Sequence, residues 1–489
     1  MSTIHARVHF ALIGAATLGV LAGTAHAAIL EVCASGCPYT TIQSAIDAAL
    51  DGDTVLVHDG TYLESIDFLG KVITVQSVNG PDATTIDGGG AGWVVSFSAN
   101  EPRETVLDGF TITNGQGGVI CGYASWASPT IQSCVIRGNS AASGGGVRVG
   151  YGSPALVGCT IAENTATYGA GVHFVYPAPG VESLVSGCTI ADNVGEGVRV
   201  SSDVDATQVV RLIGTMVSGN AGPGINVAMG TAWILDSAIE RNSGAGVLAE
   251  CGGSMAFAHA YLERCRIAAN GEGGIVVGDF AHATATSCDI RGNLATGVLF
   301  SSSASGRETP DLSNCTITGN LGGGVQSFGF LSVVNCTISR NYSESSIGGA
   351  GITVAYADVR NSILWGNDGP GGTGASDQIA VYAGGSIAVT YSDVQGGWPG
   401  EGNIEAGPAF VQPIPVDQAP TTAGNYHLRP GSPCVDAGTA DGAPPDDIDG
   451  DLRPIGLGFD MGSDECDPTH IFIDGFESGS TSAWSATLP

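Results

Sequence analysis

Along most of the chain the apolar positions alternate at spacing two inside very short runs, as in Val147-x-Val149 and Ile275-x-Val277. Such runs are too short and too rich in glycine for helices, and they read as half-buried strands. Between them the pattern Cys/Ser/Thr-x-Ile/Val/Leu-x-x-Asn returns, with its asparagine at 139, 164, 193, 220, 242, 270, 293, 320, 341 and 367, every 21 to 29 residues. A glycine-rich step into an aliphatic strand follows, as in Gly144-Gly145-Gly146-Val147, Gly169-Ala170-Gly171-Val172 and Gly351-Ile352. One coil per repeat is the simplest reading. Coils stacked about 4.8 Å apart would line inward Val and Ile into continuous ladders, while each backbone pairs with the coils above and below. The expected fold class is all-β, a parallel β-helix solenoid in which no coil is stable alone.

The recurrent asparagine is expected at a left-handed bend, its amide bonded along a column of its equivalents. Seven of the 13 cysteines share another column, at 134, 159, 188, 265, 288, 315 and 336, each two residues before an inward Ile or Val. These are expected as buried small hydrophobes, since parallel side chains fit disulfide torsions poorly. Cys33 with Cys37, and Cys434 with Cys466, lie outside the stack and are the candidate disulfides. Cys121 and Cys251 have no assignment from sequence.

The two ends depart from the repeat. Residues 1–27 have the form of an export signal: Arg7, an apolar run from Phe10 to Ala22, and Ala25-His26-Ala27 before a cut ahead of Ala28. Residues 28–52 are expected to form an N-terminal cap, its helix carrying Ile42, Ala45, Ile46 and Ala49 on one face. The coils then run over 53–410, followed by a small acidic C-terminal module over 411–466 and a tail over 467–489 that reads as a sorting or attachment segment. No later apolar run reaches the roughly 20 residues of a membrane helix.

Composition narrows the partners. The net charge is −31 and Lys71 is the only lysine, which excludes nucleic acid as a natural partner. A polyanionic glycan would meet the same repulsion unless local arginines or bound Ca²⁺ override it.

The opening segments "DGTYLES" and "ATTIDGGG", together with the coils, resemble the right-handed parallel β-helix, or pectin-lyase-like, superfamily. The stretch "NYHLRPGSPCVDAG…DDIDGDLRP…FDMGSDE" resembles the C-terminal module of bacterial surface β-helix proteins described as having a choice of anchor. The last stretch, "IFIDGFESGSTSAWS", resembles a tail found on exported proteins of Gram-negative bacteria. The resemblance implies a location outside the cell or on the outer surface of a Gram-negative-type bacterium. It also implies polysaccharide lyases, hydrolases, esterases and epimerases as relatives, but their signatures are missing: there is no G-H-G, no R-x-K and no D-P-H-D, and Asp446-Asp447 is the only paired aspartate.

Candidate chemistry therefore comes from register. In the strand after each glycine step the middle residue points outward, which places Arg148, His173 and Arg199 on three successive coils, with Asp203 and Asp205 at the rim. Two arginines could hold a uronate carboxylate and His173 could serve as acid or base. A solvated, non-catalytic face is the plainer reading of the same residues. Tyr151, Tyr176 and Trp126 are the candidate sugar-stacking rings. His259 and His282 fall in register near Asp279 and could ligate a metal. Asp447, Asp449 and Asp451 have calcium-like carboxylate spacing without the rest of an EF-hand. Taken together, the sequence describes an exported, surface-associated β-helix protein that binds a polysaccharide, a cell-surface glycan or another extended partner without a recognisable catalytic motif. A polysaccharide lyase or glycoside hydrolase working on the outer face, and a structural adhesin, stand as alternatives. Neither the oligomeric state nor the particular glycan is legible.

Overall fold

The computed structural model describes residues 27–467, apart from 124, 179, 202–208, 252–256, 302–309 and 346–348. It is an all-β parallel solenoid of about 13 turns with almost no helix. Each coil contributes a strand to each of three faces, and every pairing between coils is parallel. The first face runs through Val119–Cys121, Val147–Val149, Val172–Phe174, Val198–Val200 and Ile225–Val227. A second holds Thr130–Gln132, Ala155–Val157, Ser183–Ser186, Val209–Ile213 and Gly230–Leu235. The third is a sheet of 14 short strands, among them Val135–Arg137, Thr160–Ala162 and Asp289–Arg291. No helix among the described residues is long and apolar enough to cross a membrane.

Inward residues stack like on like. Val147, Val172 and Val198 succeed one another on the first face, and Ile136, Ile161 and Ile190 on the third, all fully buried. Both corners of the third face are set by a residue with positive φ. Before the cysteine column stand Ser133, Arg264, Ser287, Asn314 and Asn335; before the asparagine column stand Glu163, Asp192, Arg241, Ala269 and Arg340. The column asparagines are thus not the left-handed residues, contrary to expectation. The bend falls one position earlier, which frees each asparagine to turn its amide inward.

That amide is fully used. Asn242 Nδ2 donates to Val217 O and to Asn270 Oδ1, and its own Oδ1 accepts from Asn220 N and Asn220 Nδ2. The same set repeats from Asn164 to Asn367, where Gln378 Oε1 takes the place of a further asparagine, while at Asn139, the first of the column, Oδ1 accepts from Gly115 N. The glycine step makes room for it: a Cβ on Gly146 would lie 2.6 Å from Gly171 O and 2.9 Å from Asn164 Nδ2.

The seven column cysteines are buried free thiols. Their Sγ atoms donate to main-chain carbonyls, as Cys265 does to Ile234 O at 3.1 Å, and Thr215, Ser237 and Ser362 fill the same column in other coils with hydroxyls. Cys121 closes a first-face strand in register with Phe97 and Val149, and Cys251 is buried with its N–H on Asp279 O. Cys33 and Cys37 are joined by a disulfide. Cys434 and Cys466 are separate buried thiols, so the expected bridge between them is not formed. The Cys434 thiol lies 3.3 Å from Asp393 Oδ2, whose carboxyl burial raises to about 6, and is committed to that hydrogen bond.

Helix α1 (Ile42–Ala48) buries Ile42, Ala45 and Ile46. Its first turn is held by Glu64, which accepts from the N–H groups of Ile42 and Gln43. Its last carbonyls receive the ammonium of Lys71, which donates to Ile46 O, Asp47 O and Ala49 O. An anion at the positive end and a cation at the negative end both suit the helix dipole. At the other end of the chain, residues 410–466 lie along the third face. Ser463 bonds Thr316 and Thr337, Asn335 reaches Asp460 O, and a buried Arg453–Glu465 pair, 2.7 Å apart, holds the segment together.

Replacing Asn242 by Ala strips partners from four buried groups in the two flanking coils, so it is expected to cost at least about 3 kcal/mol. Leu294→Ala, on the exposed residue beside the column, should stay within about 0.5 kcal/mol. Urea and thermal unfolding of the two variants would decide it, and equal losses would remove the ladder from its central place.

Candidate functional site

Arg148, His173 and Arg199 are neighbours in strict register on the first face. They share the outward side of their strands, because the residues flanking each of them are buried in the core. His173, however, is not a solvated outward imidazole: it is only 6% exposed. Two serines clamp it, Ser143 Oγ at 2.6 Å from Nδ1 and Ser201 Oγ at 2.7 Å from Nε2, and Tyr168 leans over it with ring centroids 6.4 Å apart. Burial first, then the charges of Arg199 and Arg148, push its pKa down to about 3. The ring is neutral at ordinary pH, and both nitrogens are spoken for.

The two arginines differ. Arg199 is neutralised by Glu196 at 2.6 Å and lies over the Tyr168 ring, 5.1 Å from its centroid. Glu196 is itself fixed by Asn226 Nδ2 and by the N–H of Gly169. Arg148 has no acidic partner among the described residues. Asp203 and Asp205 lie outside the described residues.

Aromatic residues flank the stripe. Tyr168, 50% exposed, comes from the loop before the strands. From the turn after them come Tyr151 and Tyr176, stacked on each other at 5.0 Å, with Trp126 edge-on to Tyr151 at 5.5 Å. Stacking along the solenoid axis covers the facing sides of the two tyrosines, so Trp126, 48% exposed, offers the larger free surface. The structure therefore gathers the candidate rings and arginines on one face, and adds Ser143, Ser201, Glu196 and Tyr168. No sequence pattern marked these additions, since they enter from loops of neighbouring coils.

The other candidates fall elsewhere. His259 and His282 are in register on the second face, with ring centroids 5.9 Å apart beside Tyr261. Among the described residues no third imidazole, thiol or carboxylate completes a ligand set with them. Of the acidic run, Asp447 is buried and its Oδ1 caps its own turn, accepting from the N–H groups of Asp449 and Asp451, while Oδ2 takes that of Glu465. Asp451 is exposed. The three do not converge on a common point as a calcium loop would; Asp449 turns instead to His427, 2.7 Å away.

His427 and Asp449 stand in the wall of a cleft of about 430 Å³ between the third face and the C-terminal segment. Arg266, Asp289, Arg291 and Asp464 also line it. The hydrogen bond that its Nε2 donates to Asp449 raises His427 to about 9 and lowers Asp449 in return; burial raises Asp464 to about 6 and Asp289 in the same direction. Residues 36 positions apart meet here, which the sequence did not advertise.

His173 should keep a neutral imidazole from about pH 7.5 down to about pH 4.5 in a nitrogen-15 NMR titration. Its folded pKa lies below that of the unfolded chain, so its contribution to stability is complete above about pH 6.5 and fades as the pH falls through that value toward 3. Protonation near pH 6 would show that the serine clamp is open in solution.

No curated protein matches the chain in sequence. Among solved structures, pectate lyase Pel9A is 15% identical, covering 90% of this chain and 96% of that one at a TM-score of 0.33. The A-module of the Azotobacter vinelandii mannuronan C-5 epimerase AlgE4 is 15% identical over 74% of this chain and 84% of its own, at 0.35. The Dettilon tailspike protein gp208 is 14% identical over 65% of each chain, at 0.40. The family model described as the right handed beta helix region matches residues 82–232 and 203–393, well over half of the chain. The coils with their inward ladders are what that model covers, and the chain belongs to the right-handed β-helix family.

Proposed function

We propose that this chain is an exported, surface-associated protein that holds an acidic polysaccharide along the Arg148–His173–Arg199 stripe without cleaving it. The observation that carries the reading is the contrast between Arg148, which lacks an acidic partner among the described residues, and His173, whose two nitrogens are both bonded to serines. A carboxylate or sulfate would find in Arg148 a planar double donor. A proton-abstracting base needs a free lone pair and a pKa near the working pH, and His173 has neither. Trp126 and Tyr168 border the stripe, where sugar rings could lie against their exposed sides.

The remaining parts serve presentation. Residues 1–27 direct export, the helix within 28–52 shields the apolar end of the first coil, the coils of 53–410 form the binding face, and 411–466 with the 467–489 tail provide attachment. The overall charge of −31 keeps nucleic acid away, and it makes the local arginines necessary for any anionic glycan.

Affinity electrophoresis and calorimetry against polyuronates and neutral glucans test the reading, with ultraviolet absorbance of the same mixtures reporting unsaturated lyase products and a reducing-end assay reporting hydrolysis. Retention on polyuronates, weakened at least about tenfold by Arg148→Ala, is expected, the loss of one charge-assisted bidentate contact. Product formation would replace binding by catalysis, and unaltered retention in Arg148→Ala would move the site off this face.

A further inference from the structure

We propose that His427, Asp449 and Asp464 hold a divalent first-row transition-metal ion at the wall of the cleft between the third face and the C-terminal segment. The ligating atoms of the three residues lie within 4.8 Å of one another. Two ligands of a tetrahedral zinc-like ion sit about 3.4 Å apart, for bonds of about 2.0–2.2 Å, so side-chain shifts of roughly an ångström close the set.

Three separate features fit an ion there. His427 is already oriented: its Nδ1 bonds Asn425 Oδ1, which turns Nε2 toward the two carboxylates. A partner of this kind on the second ring nitrogen is how metal-binding histidines are usually fixed. Asp464 is only 7% exposed, and while its Oδ2 accepts from Leu428 N at 2.6 Å, its Oδ1 accepts no hydrogen bond from the described residues. That oxygen opens onto the cleft, where it can meet a cation or water. The cleft itself, about 430 Å³, leaves room for the water or substrate oxygens that would complete the coordination.

The arginines of the cleft do not supply that positive charge. Arg264 is bound by Asp236 and Glu263, Arg266 by Glu240, and Arg291 by Asp289. The ligand set of one imidazole and two carboxylates favours Zn²⁺ or Mn²⁺ over the all-oxygen preference of Ca²⁺ and Mg²⁺. The other clustered set, Glu31, Cys37 and His58, is ruled out because the Cys37 sulfur is in the disulfide with Cys33.

Chelator-treated full chain would be titrated with Zn²⁺, Mn²⁺ and Ca²⁺ by calorimetry, and with Co²⁺ by visible absorption. One Zn²⁺ or Co²⁺ per chain is expected, with affinity falling at least about tenfold in Asp464→Asn and in His427→Gln, and unchanged in Asp451→Asn. The amide of Asp464→Asn keeps an acceptor for Leu428 N, and circular dichroism of each variant checks that it is folded. Absence of stoichiometric binding, parent-like affinity in both trio variants, tighter binding of Ca²⁺ than of Zn²⁺, or a thiolate-to-cobalt band from the column cysteines would each overturn the assignment.

Discussion

The structure depends on a buried amide that has no spare valence. From Asn164 onward each column asparagine uses both its donors and both lone pairs on the coils before and after it, as Asn242 does with Val217, Asn220 and Asn270. A buried amide left half-satisfied is destabilising; a fully satisfied one fixes the spacing and phase of its neighbours. The glycine opposite, the left-handed residue before it and the inward Ile or Val three residues earlier on the third face all follow from that one placement. Aliphatic ladders supply most of the burial, but an aliphatic stack tolerates sliding, whereas a hydrogen-bonded ladder does not.

Electrostatics act at the ends and on single faces. In a chain of net charge −31 with one lysine, cations are scarce, and the structure puts nearly every described one to a local task. Lys71 closes the carbonyl end of α1, Arg453 is sealed against Glu465, and Arg211 lies between Glu182 and the Trp233 ring. Arg148, like Arg137 and Arg340, has no acidic partner among the described residues, and of the three it is the one in register with His173, which is why it, and not the better-connected Arg199, carries the binding proposal. The cleft near His427 shows the opposite arrangement, carboxylates gathered around one imidazole.

The coil repeat was legible because it rests on residue types with narrow physical roles: asparagine as a bonding amide, glycine where a Cβ clashes, Cys with Thr and Ser as small interchangeable column residues. Alternation also told inward from outward correctly at Val147, Arg148 and Val149. What alternation cannot tell is whether an outward residue meets water. His173 points away from the core and is still buried, because Ser143, Tyr168 and Ser201 arrive from loops whose paths no periodicity encodes. The same blindness applied to Cys434, which found a carboxylate, Asp393, 41 residues earlier in place of a thiol, and to Asp449, whose partner His427 precedes it by 22.

The asparagine ladder also bears on how such a chain can change length. Between Asn139 and Asn367 every amide hands its hydrogen bond forward to an identical acceptor, so each junction between these coils is chemically the same as the next. Gain or loss of one whole repeat by duplication or deletion would leave every remaining amide matched, whereas an insertion that shifts one asparagine within its coil would break the chain of bonds at that point. The two end steps differ in kind: Asn139 Oδ1 starts the series on the backbone N–H of Gly115, and Gln378, on a longer side chain from a short helix, receives the last amide and brings it to a stop.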